Sequence, residues 1–244
     1  MKNIIIITAF LASSILLFTS CRRDRYFIKG EGSNVTNTRN SGKFSSVSLS
    51  IDADIEIIKD STYDIELVGQ QNILNVIETK ISGGTLKVCI DYRTVIRKYN
   101  PITIRIHMPY IENVDVSGSG NISFMDEFSA NNLYANVSGS GDIKIRGSVS
   151  NYFSAVISGS GSISHVGTGT CTNAKYNISG SGDIYAEWLK VGTVDANISG
   201  SGDITAYATD RLDARISGSG NVRYRGNPTV NANISGSGKV TKIQ

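Results

Sequence analysis

The sequence predicts an all-β protein, a right-handed parallel β-helix (solenoid) with a strand-rich N-terminal part. Two observations lead to this prediction. The tetrapeptide Ser-Gly-Ser-Gly occurs seven times in the C-terminal half, at intervals of 18 to 21 residues. On both sides of every copy, apolar residues alternate with polar ones, which is the pattern of a strand with one buried face. A strand-rich repeat near 20 residues is typical of a solenoid whose coils stack at the ~4.8 Å strand spacing.

Each coil is predicted to contain two strands that flank a glycine-rich corner, together with a less regular third segment. The first copy, at 117–120, is preceded by Val116 and followed, after one polar residue, by Ile122. A corner between two sheet faces needs positive φ or a close approach of two backbones, and glycine allows both most freely. The glycines expected to form these corners are Gly118, Gly120, Gly139, Gly141, Gly159, Gly161, Gly180, Gly182, Gly200, Gly202, Gly218, Gly220, Gly236 and Gly238.

Two other repeat architectures do not fit this pattern. A leucine-rich repeat has a similar period, but its consensus leucines and asparagine ladder are absent. A β-propeller needs about 40 residues or more for each blade. The repeat therefore favours a parallel β-helix over 111–244, with seven Ser-Gly-Ser-Gly coils.

The N-terminal half is also rich in strands but does not share the repeat. The segment 102–108 shows clean alternation, and similar alternation occurs from Phe44 onwards. Residues 70–79 lack alternation, and their apolar residues are at helical spacing, so a short helix is predicted there. We therefore predict an N-terminal β region over 42–110 that contains a short helix.

Residues 1–20 are predicted to be a lipoprotein signal peptide. Lys2 supplies a positive start, and the apolar run that follows is shorter than the ~20 residues of a membrane span. The sequence Phe18-Thr19-Ser20-Cys21 resembles the lipobox of bacterial lipoproteins, in which the cysteine is lipidated and becomes the mature N-terminus. The resemblance implies attachment to a membrane through Cys21, and residues 21–41 are expected to form a polar tether.

Composition and charge exclude several classes of protein. The 24 Lys and Arg residues are nearly balanced by 21 Asp and Glu residues, so nucleic acid is not a predicted partner. Three cysteines are too few to staple a chain of 244 residues, which excludes a disulfide scaffold. The sequence contains no metal-ligand spacing, and we predict neither a metal site nor a cofactor.

The repeat also carries a resemblance to a known family. The Ser-Gly-Ser-Gly-(Asp/Asn)-Ile coils, the lead-in at 44–57 and the segment 83–88 resemble the family called putative auto-transporter adhesin, head GIN domain, over roughly 42–240. The resemblance implies a β-helical envelope protein, often lipid-anchored, in bacteria that have an outer membrane. It brings no catalytic residues with it.

The position after the corner was considered as a chemical site. Asp142, Asp183 and Asp203 occupy it in three coils, and a carboxylate pair about 5 Å apart is the geometry of retaining glycosidases. A general acid needs a raised pKa in an asymmetric environment, however, and a repeated position gives near-identical environments. Asp also suits a turn beside glycine. A structural role is therefore favoured, and the protein is predicted not to be an enzyme.

Four tyrosines are candidates for surface contacts. If the Ile, Val and Ala residues point inward, the tyrosines point outward, where they can stack on sugars or anchor an interface. Ordinary amphipathic surface is the alternative, since isolated exposed apolar groups are common. These residues are Tyr134, Tyr152, Tyr185 and Tyr207.

The end of the last coil predicts a further contact. An uncovered solenoid end is an open sheet edge that invites pairing. We expect this end to be covered either by an irregular loop or by another copy of the protein.

These features predict a lipid-anchored cell-envelope protein, an adhesin or surface binding module without catalysis. Its expected location is the outer membrane, at the cell surface or the periplasmic face, with a glycan or protein as ligand. One alternative is a periplasmic envelope-structural lipoprotein. The second is a carbohydrate-active β-helix enzyme, which would require an asymmetric cleft with convergent polar groups.

Overall fold

The structure is a computed structural model that describes residues 25–244. Of these residues, 67% are in strands and 2% in a helix, so the prediction of an all-β protein is confirmed. The predicted signal peptide and Cys21 lie outside the described residues. Within 25–244, no helix has the length and apolar character needed to cross a membrane.

The chain forms twenty strands and one helical turn within the described residues. The turn, α1, lies at Gln71–Leu74, within the segment where the sequence predicts a helix. The strands of the first half are β1 (Tyr26–Lys29), β2 (Asn34–Asn40), β3 (Ser46–Leu49), β4 (Asp54–Lys59), β5 (Asp64–Gln70), β6 (Ile77–Ser82), β7 (Thr85–Ile90), β8 (Thr94–Arg97), β9 (Thr103–Met108) and β10 (Asn113–Val116). Those of the second half are β11 (Asn121–Phe124), β12 (Phe128–Val137), β13 (Ile143–Ile157), β14 (Ser162–Val166), β15 (Gly169–Gly180), β16 (Asp183–Gly200), β17 (Ile204–Gly218), β18 (Val222–Arg225), β19 (Thr229–Gly236) and β20 (Val240–Lys242).

The coils stack in parallel, and the predicted β-solenoid is confirmed. Three faces can be distinguished. Face 1 is the stack of segments that enter the corner, such as 133–137 of β12 on 153–157 of β13. Face 2 is the stack that leaves the corner, such as 143–146 of β13 on β14. Face 3 is the stack of segments that connect a face 2 segment to the face 1 segment that follows it in the chain. An example is 128–130 of β12, which pairs with 147–149 of β13.

Equivalent residues of successive coils lie directly above one another. Ala155 pairs with Tyr176, which pairs in turn with Ala196, and all three are buried. The same stacking unites Ile163 and Ile184 on face 2. The inward side chains therefore form columns that run along the solenoid and merge into one continuous apolar core. Columns of this kind explain why the alternation recurs at the same place in every coil.

The corner glycines also form columns, and backbone contact between coils explains why they are glycines. A Cβ built on Gly139 would overlap the carbonyl oxygen of Gly118, and one on Gly141 would overlap that of Gly120. The carbonyl oxygen of Gly118 accepts the N–H groups of Ser140 at 3.1 Å and Gly141 at 3.2 Å. Any larger residue would force the coils apart at the corner.

The solenoid begins well before residue 111, which corrects the predicted boundary between 42–110 and 111–244. Strands β3 and β4 pair in parallel with β10 and β11. The intervening segment Ser50-Ile51-Asp52-Ala53 occupies the corner position, and Ser117 Oγ donates to Ser50 Oγ at 2.9 Å. The sequence concealed this coil because its corner contains no glycine.

The N-terminal end of the solenoid is closed by antiparallel strands. Strands β7 and β9 stack on the outer side of β3 and β4, although they follow them in sequence. Strand β6 then pairs antiparallel with β7, and β5 with β9. These reversed strands end the parallel stacking at this end of the molecule.

The polar tether predicted at 21–41 is wrong for most of its described part. Strand β2 pairs antiparallel with β5 along its whole length. The Arg39 guanidinium donates at 2.8 Å to the carbonyl oxygens of Leu74 and Ile77. Strand β2 is mostly exposed on both sides, so it lacks the apolar alternation by which the other strands were recognised.

The C-terminal end is open. Strand β19 pairs with β17, and β20 pairs with β18, and no other strand of the described chain pairs with either. Ile234, whose equivalents in earlier coils are buried, is 41% exposed. No strand of residues 25–244 covers the outer edges of β19 and β20, and the expectation that an irregular loop or another copy of the protein covers this end stays a prediction.

Candidate functional site

The aspartates after the corner bind the backbone of the next coil. Asp142 Oδ1 accepts the backbone N–H and the hydroxyl of Ser162, both at 2.8 Å. Asp183 Oδ1 accepts the backbone N–H of Asp203 at 2.7 Å. Asp203 repeats the contact with Asn221. Asn121 does the same for the backbone N–H of Asp142. An Asp or Asn at this position therefore supplies an acceptor to a backbone N–H of the next coil.

This arrangement gives the carboxylates a structural use. One oxygen of Asp203 is occupied by the next coil, and the other forms an ion pair with Arg223 Nη1 at 3.0 Å. Among residues 25–244, no group of three or more His, Cys, Asp and Glu side chains has the geometry to hold a metal ion. The chemistry of the column is thus backbone capping between coils.

A long groove runs along face 1 and crosses five coils. It has a volume of about 430 Å³ and lies between two outward rows of side chains. One row contains Asn177, Asn197, Arg215 and Asn233, and the other contains the first serine of each corner. The inward isoleucines form its floor. The groove therefore offers a regular array of amide and hydroxyl groups on a rigid sheet.

Hydrogen bonds between coils fix the asparagine row. Asn197 Nδ2 donates to Asn177 Oδ1 at 3.0 Å. Arg215 Nη1 donates to Asp195 Oδ1 at 2.8 Å and to Asn197 Oδ1 at 3.3 Å. These contacts hold the side chains in one orientation, which lowers the entropy lost when a ligand binds. The array suits recognition of an extended polar ligand.

The four predicted tyrosines do not form one site. Tyr134 and Tyr152 lie together on face 1, with ring centroids 6.0 Å apart. Tyr185 is on face 2, where its hydroxyl donates to Asp183 at 3.0 Å. Tyr207 lies where face 2 meets face 3, with Lys190 Nζ 5.7 Å from its ring centroid. Burial raises the pKa of Tyr152 and, together with Asp183, that of Tyr185.

A second groove has a volume of about 410 Å³ and is lined in part by Tyr134. Tyr110, Glu112, Asn132 and Tyr134 are among the residues that line it. Tyr110 is exposed and was missed by the sequence analysis, because it stands in the irregular connection that follows β9. This groove lies where face 3 meets face 1, since Ser129 belongs to face 3 and Tyr134 to face 1.

Three chemically reactive side chains are buried in the core rather than displayed. His165 Nε2 is 2.8 Å from the carbonyl oxygen of Gly147, and burial lowers the pKa of this histidine. Burial raises the pKa values of Cys171 and Tyr176. All three are at most 6% exposed. Since a substrate cannot reach them, they pack as core residues.

One cluster was absent from the sequence analysis altogether. Trp188, Lys190, Tyr207 and Arg225 gather at the edge between face 2 and face 3. Only Tyr207 was singled out from the sequence. Trp188 lies in the less regular third segment of its coil, where the repeat gives no reference position for judging an unusual residue.

Comparisons with known proteins agree with this fold. The family model described as putative auto-transporter adhesin, head GIN domain matches residues 43–228. A crystal structure of a putative adhesin from Bacteroides fragilis is similar, with a TM-score of 0.83 and 24% identity over 88% of this chain and 100% of that one. No curated protein is significantly similar to the chain.

Two solved structures from Parabacteroides are also similar. A putative lipid binding protein from Parabacteroides distasonis has a TM-score of 0.74 and 26% identity, over 89% of this chain and 100% of that one. A putative adhesin from Parabacteroides merdae has a TM-score of 0.73 and 22% identity, over 90% of this chain and 100% of that one. These likenesses extend the shared fold beyond one species.

Proposed function

The chain belongs to the family described as putative auto-transporter adhesin, head GIN domain, and from this premise we propose that it is a surface binding module of the bacterial envelope. In this proposal the module is anchored by lipid on Cys21 in the outer membrane and binds a glycan or protein without catalysis. The single observation that carries the proposal is the groove on face 1. It presents a serine hydroxyl in each of five successive coils and an asparagine amide in three of them, two of which are fixed by hydrogen bonds between coils.

The geometry of face 1 supports binding of an extended partner. Equivalent polar side chains recur at the strand spacing of ~4.8 Å, so a ligand with repeated hydrogen-bonding groups can contact several coils at once. Each contact contributes little binding free energy. Because the surface is rigid, further contacts add to the affinity without a further loss of conformational entropy in the protein. Tyr134 and Tyr152 supply an aromatic patch on the same face.

The use of the aspartate column supports a function without catalysis. Asp142, Asp183 and Asp203 each accept a backbone N–H from the next coil. A carboxylate committed in the same way in each of these three coils is poorly suited to act as acid or nucleophile. The alternative of a carbohydrate-active enzyme would need one coil to depart from the pattern.

Lipid on Cys21 would hold the closed end of the solenoid near the membrane. Only residues 22–25 separate Cys21 from β1, and fully extended they span about 14 Å. The open end, with β19 and β20, would then point away from the bilayer. The groove on face 1 would lie along the side of the molecule, accessible to an external partner.

Protease accessibility on intact cells tests the proposal. Surface display predicts that added protease digests the protein on intact cells and that Cys21→Ala releases it from the membrane fraction. Protection until the outer membrane is broken would contradict surface binding and would favour the periplasmic structural role instead. A Cys89→Ala variant, altered at another cysteine, controls for general effects of losing a thiol.

A second copy of the chain is the partner we propose for the open end. Strand β19 is an unpaired edge with no charged residue, because its outward side chains are Thr229, Asn231, Asn233 and Ser235. Edge strands are normally protected by charge, proline or a bulge. Two copies related by a two-fold axis would pair their β19 strands antiparallel, which is the commonest symmetry of oligomers.

A further inference from the structure

The only tryptophan of the chain stands exposed at a break in the repeat. Trp188 is 48% exposed and lies in β16. The pairing of β16 with β17 runs regularly to Ala186 and resumes at Lys190, which faces Tyr207. Three residues of β16 therefore have no counterpart in the next coil. Such bulges re-aim side chains and are common next to functional sites.

The coil lengths explain this bulge. From Ser179 to Ser199 the repeat is 20 residues long, and from Ser199 to Ser217 it is 18. The longer coil has two more residues than the next, so part of the segment 187–189 finds no partner there; Leu189 is buried in the core, whereas Trp188 is exposed. Trp188 is thus carried outward at a step in the solenoid rather than packed into its core.

Two cations accompany the exposed ring of Trp188 and the half-buried ring of Tyr207. Arg225 Cζ is 4.3 Å from the ring centroid of Trp188, and Lys190 Nζ is 5.7 Å from that of Tyr207. Because Lys190, Tyr207 and Arg225 are register partners in three successive coils, the contacts form one continuous patch. We name these four residues the Trp188 platform.

The cations of the platform lack anionic partners. Within residues 25–244, the side chains of Lys190 and Arg225 make no ion pair or hydrogen bond, and the Nε of Arg225 is buried without an acceptor. The other arginines of the last coils differ, since Arg211, Arg215 and Arg223 each pair with an aspartate. A buried donor without an acceptor is costly, and a ligand that supplies one recovers that cost.

Glu187, next to Trp188 in the chain, adds an acceptor to the same segment. Its Oε2 is buried without a donor. Sugar hydroxyls are donors that can satisfy such an oxygen, whereas inorganic anions carry none. The segment therefore combines an aromatic ring for the apolar face of a sugar, two cations for an acidic group and one acceptor for a hydroxyl.

We propose that the Trp188 platform is a binding site for an acidic saccharide, a sugar that carries a carboxylate or a sulfate. The sugar ring stacks against the exposed indole and the Tyr207 ring, and the acidic group accepts hydrogen bonds from Arg225 and Lys190. This inference rests on the proposed function, because it supplies a ligand class for a surface binding module. The near balance of charges over the chain argues against a nucleic-acid ligand.

Intrinsic fluorescence offers a direct test, because Trp188 is the only tryptophan. The full chain is titrated with a galacturonate tetrasaccharide, a heparin tetrasaccharide, the neutral sugar cellotetraose and sodium sulfate. We expect saturable changes with the acidic sugars, at least about tenfold tighter than with cellotetraose, and none with sulfate at equal ionic strength. The two acidic probes distinguish a carboxylate from a sulfate as the preferred group.

Variants then test the assignment by calorimetry, which does not depend on the tryptophan. Trp188→Ala and Arg225→Gln are each expected to weaken acidic-sugar binding about tenfold. Arg146→Gln is the matched control, since Arg146 is also the fourth residue of a face 2 strand segment but has no ring or anion in contact. Melting temperatures verify that each variant is folded.

Three outcomes would overturn the inference: equal affinity for acidic and neutral sugars, unchanged binding by Arg225→Gln, or an equal loss with Arg146→Gln.

Failure of the proposed Trp188 platform can be distinguished from failure of the proposed function. If the protein is displayed on cells and adheres through face 1 while the Trp188→Ala variant adheres equally well, the assignment of the platform is wrong and the binding role stands. If the protein is protected inside intact cells, the proposed function fails.

Discussion

The backbone N–H of Asn221 donates to Oδ1 of Asp203 at 2.8 Å, so a side chain of one coil satisfies the backbone of the next. The amide of Asn221 donates to the same oxygen at 2.9 Å. This relationship recurs between coils, and it explains why Asp or Asn follows most corners. A position whose carboxylates suggest chemistry is thereby explained by cohesion between coils.

Replacing Asp203 with alanine is expected to destabilise the solenoid. The N–H of Asn221 loses its acceptor, and a buried unpaired donor costs about 1–3 kcal/mol. The partial exposure of Asp203 places the expected value toward the lower end, and loss of its ion pair with Arg223 adds little. Urea unfolding measures the change. Asp210→Ala, at an exposed aspartate without a hydrogen bond, should stay within about 0.5 kcal/mol, and equal effects of both variants would contradict the capping role.

Replacing a glycine in the middle of the corner column is expected to be more severe. A Cβ on Gly161 would overlap the carbonyl oxygen of Gly141, and neither backbone can move without parting the coils. We expect Gly161→Ala to cost on the order of 3 kcal/mol, measured by thermal or urea unfolding. Gly42→Ala is the control, because a Cβ there has only an ordinary contact with Ile81 at 3.7 Å. A small change in the free energy of unfolding with Gly161→Ala would contradict this expectation, because it would show that the coils can move apart at a corner at little cost.

The sequence predicted the regular part of the fold because each coil repeats the same local requirements. Apolar alternation identifies strands with one buried side, and glycine identifies backbones that touch. The coil through Ser50–Ala53 was missed because its corner contains no glycine. In the next coil, a Cβ on Gly120 would overlap the carbonyl oxygens of this corner, so glycine is required there. The corner at Ser50–Ala53 follows no earlier glycine corner and can therefore carry larger residues.

The closure of the N-terminal end depends on pairing between segments distant in sequence. Strand β2 is joined to β5 by backbone hydrogen bonds and to α1 and β6 by Arg39, and neither kind of contact depends on an apolar pattern. Strands β7 and β9 join the stack out of chain order, which no local signal records. Long-range register of this kind is a property of the assembled fold.

The candidate sites were predictable to different degrees. The alternation of apolar and polar residues along a strand predicts which tyrosines point outward. The contact between Tyr134 and Tyr152, however, depends on a shift of register between Ala130 and Asn132. Trp188 depends on a bulge produced by unequal coil lengths. Departures from the repeat, rather than the repeat itself, determine where distinctive side chains meet.

Stability is expected to fall at acidic pH because of His165. Burial lowers its pKa in the folded state below the unfolded value of about 6.5. The unfolded chain therefore binds the proton more readily, so this contribution is fully present above pH ~6.5 and is lost as the pH falls toward the lowered folded value. The free energy of unfolding between pH 7.5 and 5.5 (values chosen to be about one unit either side of that pKa) measures the loss.

A His165→Leu variant separates this effect from other titrations. It loses the contact with the carbonyl oxygen of Gly147 and should be less stable at neutral pH, but its stability should depend less on pH in that interval. The informative quantity is the slope of the free energy of unfolding against pH, because a purely structural loss would leave that slope unchanged. Parallel slopes for the two proteins would contradict the role assigned to the buried imidazole.

The open C-terminal end predicts self-association through β19. In a two-fold antiparallel pairing, Asn233 lies close to its own counterpart across the new edge, and a lysine there brings two like charges together. We expect sedimentation velocity to show a dimer whose population rises with concentration, and Asn233→Lys to shift it to monomer. Asn173→Lys is the matched control, because Asn173 is an exposed residue of face 1 within the stack, far from the open end. A monomer at every concentration, or equal loss with both variants, would contradict pairing through β19; dimerisation retained only by the control variant supports it.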